Sequence, residues 1–225
     1  HEIRNPLGGI ELLANLAREN LISRSLNSVY SFPDPYNEGS IDNDLKNKEY
    51  LDKILKEVNG LKSLITSYLN YSRPVQIKLV WVNLPKLMNE VKDIFKKQLS
   101  EKDIKLVIDS RVNIIYFDED HLRQILINLI INSIDSVSTG GIIRMISLYK
   151  DKQWVISVSD NGSGIKEKDL LYIFEPFFTT KKNGTGLGLA ISRKLCVENK
   201  AKIAVQNNPD LGTTFTITKE VINEV

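Results

Sequence analysis

The sequence predicts an α+β chain: an antiparallel helical hairpin, completed to a four-helix bundle by a second copy, then a mixed sheet covered on one face by helices. Three observations predict it. Apolar residues recur at alternating steps of three and four through residues 1–72. After Pro74, strand-like runs interleave with amphipathic helices. Glycines gather in loops that follow a strand or open a helix. A chain of 225 residues, 42% apolar and 26% charged, can build one large or two smaller cores. Its net charge of +2 gives no reason to expect nucleic acid or an acidic membrane surface as a partner.

Taken in order, Ile3, Leu7, Ile10, Ala14, Ala17 and Leu21 form the seam of a first helix. Leu51, Ile54, Val58, Leu61, Ile65 and Tyr68 do the same for a second. The stretch "SFPDPYNEGSIDND" (31–44) reads as the hairpin loop, with Asn43 or Asp44 capping the second helix. Two helices enclose little core, so pairing with a second copy is the natural remedy; packing on the neighbouring domain is the alternative. Pro74 disfavours helical geometry at Arg73 and ends the segment. The domains expected are therefore 1–73 and 74–225.

Strands are predicted at 78–82, 104–108, 114–117, 142–149, 154–159, 202–206 and 213–218. Helices are predicted at 85–97, 120–138 and 188–198, the first burying Leu87, Val91, Ile94 and Phe95. "GG" (140–141) and "KDKQ" (150–153) read as separators of strands able to pair as hairpins. Cys196 is the only cysteine, which excludes an internal disulfide and suits a reducing compartment. The longest apolar run, 125–134, is short and carries Asn128 and Asn132, so no membrane span is expected. The absence of an initiator Met raises the expectation of a longer polypeptide with further segments ahead of His1.

Four clusters carry chemistry. "ILINLIINSID" (125–135) puts Asn128 and Asn132 one turn apart on an otherwise apolar helix. Burying two amides is costly unless something satisfies them, and an amide oxygen is a hard ligand suited to Mg²⁺. Ordinary polar positions on a half-exposed helix are the plainer alternative. "DNGSGI" (160–165) ends a strand at Asp160, and Gly162 and Gly164 let the backbone approach a ligand, a plain turn being the alternative for such a loop taken alone. A buried carboxylate there accepts from an exocyclic amine and repels a carbonyl, favouring adenine over guanine. "GTGLGLAISRKL" (184–195) opens a helix with Gly184, Gly186 and Gly188, an anion site built from backbone N–H groups. It matches neither the dinucleotide fingerprint nor the P-loop, and protein-kinase signatures are missing. "YIFEPFFTTKKNGTG" (172–186) joins three phenylalanines to Lys181 and Lys182, an aromatic-anchored flap whose lysines can reach phosphates.

With these clusters in this order, the chain resembles the histidine protein kinases of bacterial two-component systems, with the nitrogen-regulation type nearest in wording. "NLIINS", "DNGSGI", "IFEPFFTT" and "GTGLGLAI" look like that family's N, first glycine, F and second glycine boxes. "LGTTF" (211–215) looks like its last glycine motif, and "HEIRNPLGGI" (1–10) like its phosphoacceptor box. The likeness spans essentially the whole chain. It implies a dimerising phosphoacceptor hairpin followed by the α/β sandwich that this family shares with gyrase-type ATPases.

The resemblance also implies roles. His1 would be phosphorylated, with Glu2 as its acid–base partner, although neighbours in sequence do not share a helix face. Asn5, one turn from His1, would orient water for dephosphorylating the partner. Asn132 would hold Mg²⁺, with Asn128 assisting. Asp160 would read the adenine amine in a pocket shaped by Gly162, Gly164 and Ile165, with Thr213 near the base. Gly184, Gly186 and Gly188 would border the triphosphate under a lid from Phe174 to Leu187 that includes Thr180, Lys181, Lys182 and Thr185, with Leu189 beyond it. Asp135 stands where some relatives carry a phosphate-binding lysine, so neutralisation would fall to Lys181 or Lys182.

The implied activity is ATP:protein-histidine phosphotransfer, with ATP and Mg²⁺ as cofactors and a response-regulator receiver domain as partner. The implied assembly is a homodimer through 1–73, without nucleic-acid or membrane contact by these residues. The implied location is cytoplasmic, whether free or as part of a membrane-anchored sensor. A gyrase-like ATPase is the competing enzyme reading. That type places a water-activating glutamate four residues before the metal asparagine, where this chain has Asn128. A nucleotide-sensing scaffold or phosphatase-only member is the non-kinase alternative. Pro6, Gly8 and Gly9 beside His1 weaken the first helix, since each glycine costs about 1 kcal/mol relative to Ala. They predict a bendable turn next to the acceptor.

Overall fold

A computed structural model describes residues 8–19, 39–72, 76–181 and 184–221. The chain divides into two compact units, His1–Asn70 and Tyr71–Val225. His1, Glu2, Asn5 and Lys182 lie outside the described residues.

The first unit is helical: α1 (8–19) and α2 (Gly39–Ser72). Because α2 begins at Gly39, Asn43 and Asp44 sit past its first turn and do not cap it. The predicted seam of α2 splits into two rows. Asn47, Tyr50, Ile54, Glu57, Leu61 and Leu64 form a half-buried row at steps of three and four. Leu51, Leu55, Val58, Ile65, Tyr68 and Leu69 form a second, exposed apolar row. In α1, Ile10, Leu13, Leu16 and Ala17 are half-buried, and Ala14 is exposed. A seven-residue repeat does not distinguish one wide apolar face from two adjacent rows, so the seam was legible and its division was not.

In the second unit, β1 (Leu79–Asn83) pairs antiparallel with β3 (Ile114–Asp118) as a small ribbon. A five-stranded sheet has the order β2-β4-β5-β7-β6, from β2 (Lys105–Ser110), β4 (Ile142–Lys150), β5 (Gln153–Asp160), β7 (Thr213–Glu220) and β6 (Lys202–Asn207). Only β2 and β4 run parallel, and α5 (Glu119–Ser136) lies in the crossover between them. The β4–β5 hairpin turns at Asp151 and Lys152, both at positive φ (50° and 61°), the geometry of a two-residue primed turn. "GG" (140–141) separates no pair of strands: it carries the chain from α5 into β4.

Alternation makes the sheet one-sided. Along β5 every second residue is buried, from Trp154 through Ile156 and Val158 to Asp160. That face meets α3 (Leu84–Ile94), α5 and α7 (Gly188–Glu198) in one core. Asn83 caps α3 by accepting from Lys86 N at 3.0 Å. The helix predicted over 85–97 breaks at Phe95, and a short α4 (Lys96–Glu101) follows. Leu84, Leu87, Met88 and Val91 are buried, whereas Ile94 is exposed because it falls on α3's outer side. One further short helix, α6 (Glu167–Leu170), was not legible in the sequence. Asp118 caps α5 at His121 N, and Asn199 at the end of α7 donates to Leu195 O and meets His121 Nδ1 at 3.0 Å. These bonds tie the start of α5 to the end of α7.

Candidate functional site

The site is organised around Asp160, the last residue of β5, which is 5% exposed. Its Oδ1 accepts from Gly162 N (3.0 Å) and Thr213 N (3.3 Å), and its Oδ2 from the Ser133 hydroxyl (3.0 Å). Strand pairing of β5 with β7 delivers Thr213, and α5 delivers Ser133. An ionised carboxylate offers about four acceptor positions. Among the described residues three donors reach it, which leaves one position on Oδ2 for a ligand.

The surrounding loops approach so closely that side chains are excluded. A Cβ at Gly162 would lie 2.6 Å from Ser136 O, and one at Gly212 would overlap the Asp160 carbonyl oxygen. Gly212 also has φ +97°, so it is glycine on both counts. The Asn207 side chain imitates a neighbouring strand: its Oδ1 accepts from Ile165 N (2.9 Å) and its Nδ2 donates to Ile165 O (2.7 Å). Asn208 Nδ2 donates to Asp160 O (2.8 Å), and its Oδ1 accepts from Thr214 Oγ1 (2.6 Å). Together they fix the Gly164–Ile165 turn and the wall behind Asp160.

The start of α7 supplies the second feature. Among the described residues no side chain caps it, so its first backbone N–H groups can meet an anion. Asn128 aims it: Nδ2 donates to Gly188 O (2.9 Å) and Ser192 Oγ (3.1 Å), while Oδ1 accepts from Gln124 (3.0 Å). The Asn128 amide thus joins α5 to α7. Leading into this helix, Gly186 and Phe177 are both left-handed (φ +66° and +67°) and pack backbone on backbone. Phe174 stacks edge-on to Phe215 at 6.4 Å, anchoring the segment to the core. The Thr179 hydroxyl accepts from Lys181 N (3.1 Å) and would collide with a Cβ at Gly184. Thr180 is exposed, Thr185 Oγ1 accepts from Leu187 N (3.4 Å), Leu187 is buried and Leu189 is half-buried.

The third feature is a cation seat. Asn132 Oδ1 accepts from Lys181 Nζ at 2.8 Å, and the same ammonium pairs with Asp135 Oδ2 at 2.7 Å. Among the described residues no group of three His, Cys, Asp or Glu could hold a metal. Mg²⁺ needs no such group, since it is commonly held by one or two protein oxygens, substrate phosphates and water. An Asn132 oxygen that already faces a cation, near an uncapped helix start, fits that donor set.

The predicted residues thus fall on α5 (Asn128, Asn132), the end of β5 and the loop after it (Asp160, Gly162, Gly164), the segment leading into and opening α7 (Phe174, Lys181, Gly184, Gly186, Gly188) and the start of β7 (Thr213). Sequence reasoning did not reach Ser133, Asn207 or Asn208. Ser133 adjoins Asn132 and is wholly buried, and a hydroxyl next to a candidate ligand on an apolar helix was the available signal. The two asparagines gave none beyond their turn composition.

Comparison with known proteins bears on the same residues. The family model for the histidine kinase-, DNA gyrase B- and HSP90-like ATPases matches residues 117–222. The model for the His Kinase A (phospho-acceptor) domain matches residues 1–76. The signal transduction histidine-protein kinase AtoS of Escherichia coli is 32% identical over 96% of this chain and 33% of its own length. The chain spans about a third of the length of the first curated relatives it matches. Among solved structures, the catalytic domain of histidine kinase ThkA superposes with TM-score 0.59 at 31% identity, covering 64% of this chain and 95% of that one. ThkA in complex with the response regulator protein TrrA superposes with TM-score 0.69 at 26% identity, covering 97% of this chain and 58% of that one.

Proposed function

This chain belongs to the sensor histidine kinases of two-component systems, and on that premise we propose an ATP-dependent protein-histidine autokinase that phosphorylates His1. The observation that carries it is Asp160: a buried carboxylate, fixed by three donors, with one acceptor position left for the adenine amine. The uncapped start of α7 receives phosphate oxygens, and Asn132 holds Mg²⁺. Asn128 serves the metal and phosphates through the α7 start that it positions. When bound, the metal neutralises phosphate charge as the phosphoryl group moves.

A neutral His1 nitrogen attacks the γ-phosphorus; the N–P bond forms as the bond to the β,γ-bridging oxygen breaks, and ADP leaves. Glu2 accepts the proton from the other ring nitrogen. The phosphoryl group then passes to an aspartate of a response-regulator receiver domain, leaving His1 free. Asn5 supports the opposing activity by orienting a water that attacks that aspartyl phosphate, releasing inorganic phosphate and restoring the aspartate. Residues 1–73 form the dimerising phosphotransfer domain and 74–225 the catalytic, ATP-binding domain. The exposed apolar row of α2 suits a second copy of the hairpin. Among the described residues no helix is long and apolar enough to cross a membrane. The need for ATP and the buried free thiol of Cys196 suit the cytoplasm.

Incubation with γ-labelled ATP and Mg²⁺ tests the proposal. Acid-labile, alkali-stable label on the protein, lost in His1→Ala, is expected. Free phosphate without protein label would instead assign a hydrolase of the gyrase type, and nucleotide binding with neither product a sensing scaffold.

A further inference from the structure

Asn132 and Asp135 lie three residues apart on α5 and so present their side chains together. One ammonium serves both: Lys181 Nζ lies 2.8 Å from Asn132 Oδ1 and 2.7 Å from Asp135 Oδ2. Under the proposed function, on which this inference rests, that same Asn132 oxygen receives the divalent ion. A divalent ion and an ammonium on the same oxygen would lie only a few ångströms apart and repel, so the two compete for it.

We propose that Lys181 is a stand-in cation: Asp135 parks its ammonium on the metal-binding oxygen of Asn132, and the divalent ion takes that place only as nucleotide phosphates draw the lysine away. Asn132 alone offers a neutral acceptor. Asp135 adds the charge-assisted bond that makes this the resting position. The lysine and carboxylate side chains are 42% and 46% exposed, so the pair opens readily and the exchange is reversible. A polyphosphate carries several negative charges and outcompetes a single carboxylate for the ammonium. The seat therefore refuses a divalent ion that arrives alone and accepts one that arrives with the nucleotide. Asp135 acts through Lys181 and is a positioning residue. It also gives physical sense to an acidic residue in a place where some relatives carry a phosphate-binding lysine.

The test is Mn²⁺ binding to the nucleotide-free chain, followed by water-proton relaxation. A lysine parked about nine-tenths of the time lowers apparent metal affinity about tenfold. Lys181→Met should therefore take up Mn²⁺ about tenfold more tightly than the wild type. Because Asp135 acts only through the lysine, adding Asp135→Asn to that variant should leave most of the gain in place; a gain abolished by it would put the ion on Asp135 and overturn the parking. Both side chains are half exposed, so the folded state tolerates the changes. Equal Mn²⁺ uptake by the wild type and Lys181→Met overturns the exchange. Calorimetry of the wild type with ADP and Mg²⁺ is read separately: absence of nucleotide uptake there overturns the kinase reading itself.

Discussion

Asp160→Asn separates the loop-holding task of the buried carboxylate from the base-reading task proposed for it. Both backbone donors, Gly162 N and Thr213 N, converge on Oδ1, and among the described residues only the Ser133 hydroxyl meets Oδ2. An asparagine with its oxygen at Oδ1 keeps both N–H bonds. Its amide nitrogen at the other position donates to Ser133 Oγ, which accepts by turning its own hydrogen elsewhere. The charge assistance lost is offset by relief from burying a charge. The thermal midpoint should therefore move by no more than about 4 °C, the equivalent of 1–2 kcal/mol in a chain of this size. Asp160→Ala instead strands two buried N–H groups at about 1–3 kcal/mol each, a loss of about 5 °C or more.

The nucleotide reads the substitution differently. Where Oδ2 accepts, the amide donates, so an adenine amine meets a like donor. Losing a charged hydrogen bond costs about 1.5–3 kcal/mol, and leaving the amine unpaired adds to that, so ADP affinity should fall about a hundredfold. The inosine analogue presents a carbonyl at that position and should lose far less, or gain. Calorimetry with the Mg²⁺ complexes of ADP and IDP, alongside thermal melts, makes the measurement. An Asp160→Asn variant that melts normally and still binds ADP within about threefold of the wild type would refute the assignment of Asp160 to the base.

Gly212→Ala forces a Cβ onto the Asp160 carbonyl at φ +97°; overpacking and backbone strain together should cost about 3 kcal/mol or more, read as a lowered melting temperature and lost ADP binding. An unchanged melt would show that the loop does not sit against β5 as described. Burial pushes the Cys196 thiol up to about 12. A folded value raised above the unfolded one gives a stabilising contribution that is complete below the unfolded thiol's range and fades as pH climbs through about 12. At pH 9 the folded chain should resist alkylation that the denatured chain undergoes readily; equal rates by mass spectrometry would contradict the burial.

The strands were legible because burial on one side of a sheet writes itself into alternation, as in "QWVISVSD". The placement of Asp160 at a strand end and of the glycines in tightly packed loops was legible because only a few residue types suit such positions. Failures had local causes. Asn43 and Asp44 look like caps in any short window, but α2 had already begun. Ile94 shares α3's apolar spacing yet points outward, and the Phe95 break could not be seen from periodicity.

By itself the sequence determined the strands and the long helices of the second unit, the loops rich in glycine between them and the family in which they occur together. Those are decided within a turn or a strand, where periodicity and backbone freedom act. Tertiary structure alone decided the partnerships: Asn207 with Ile165, Asn128 with Gly188, Lys181 with Asn132 and Asp135. Each pair is separated by more than forty residues, and a hydrogen bond tolerates only a few tenths of an ångström. Such contacts follow from strand register and helix packing, which no short window of sequence contains.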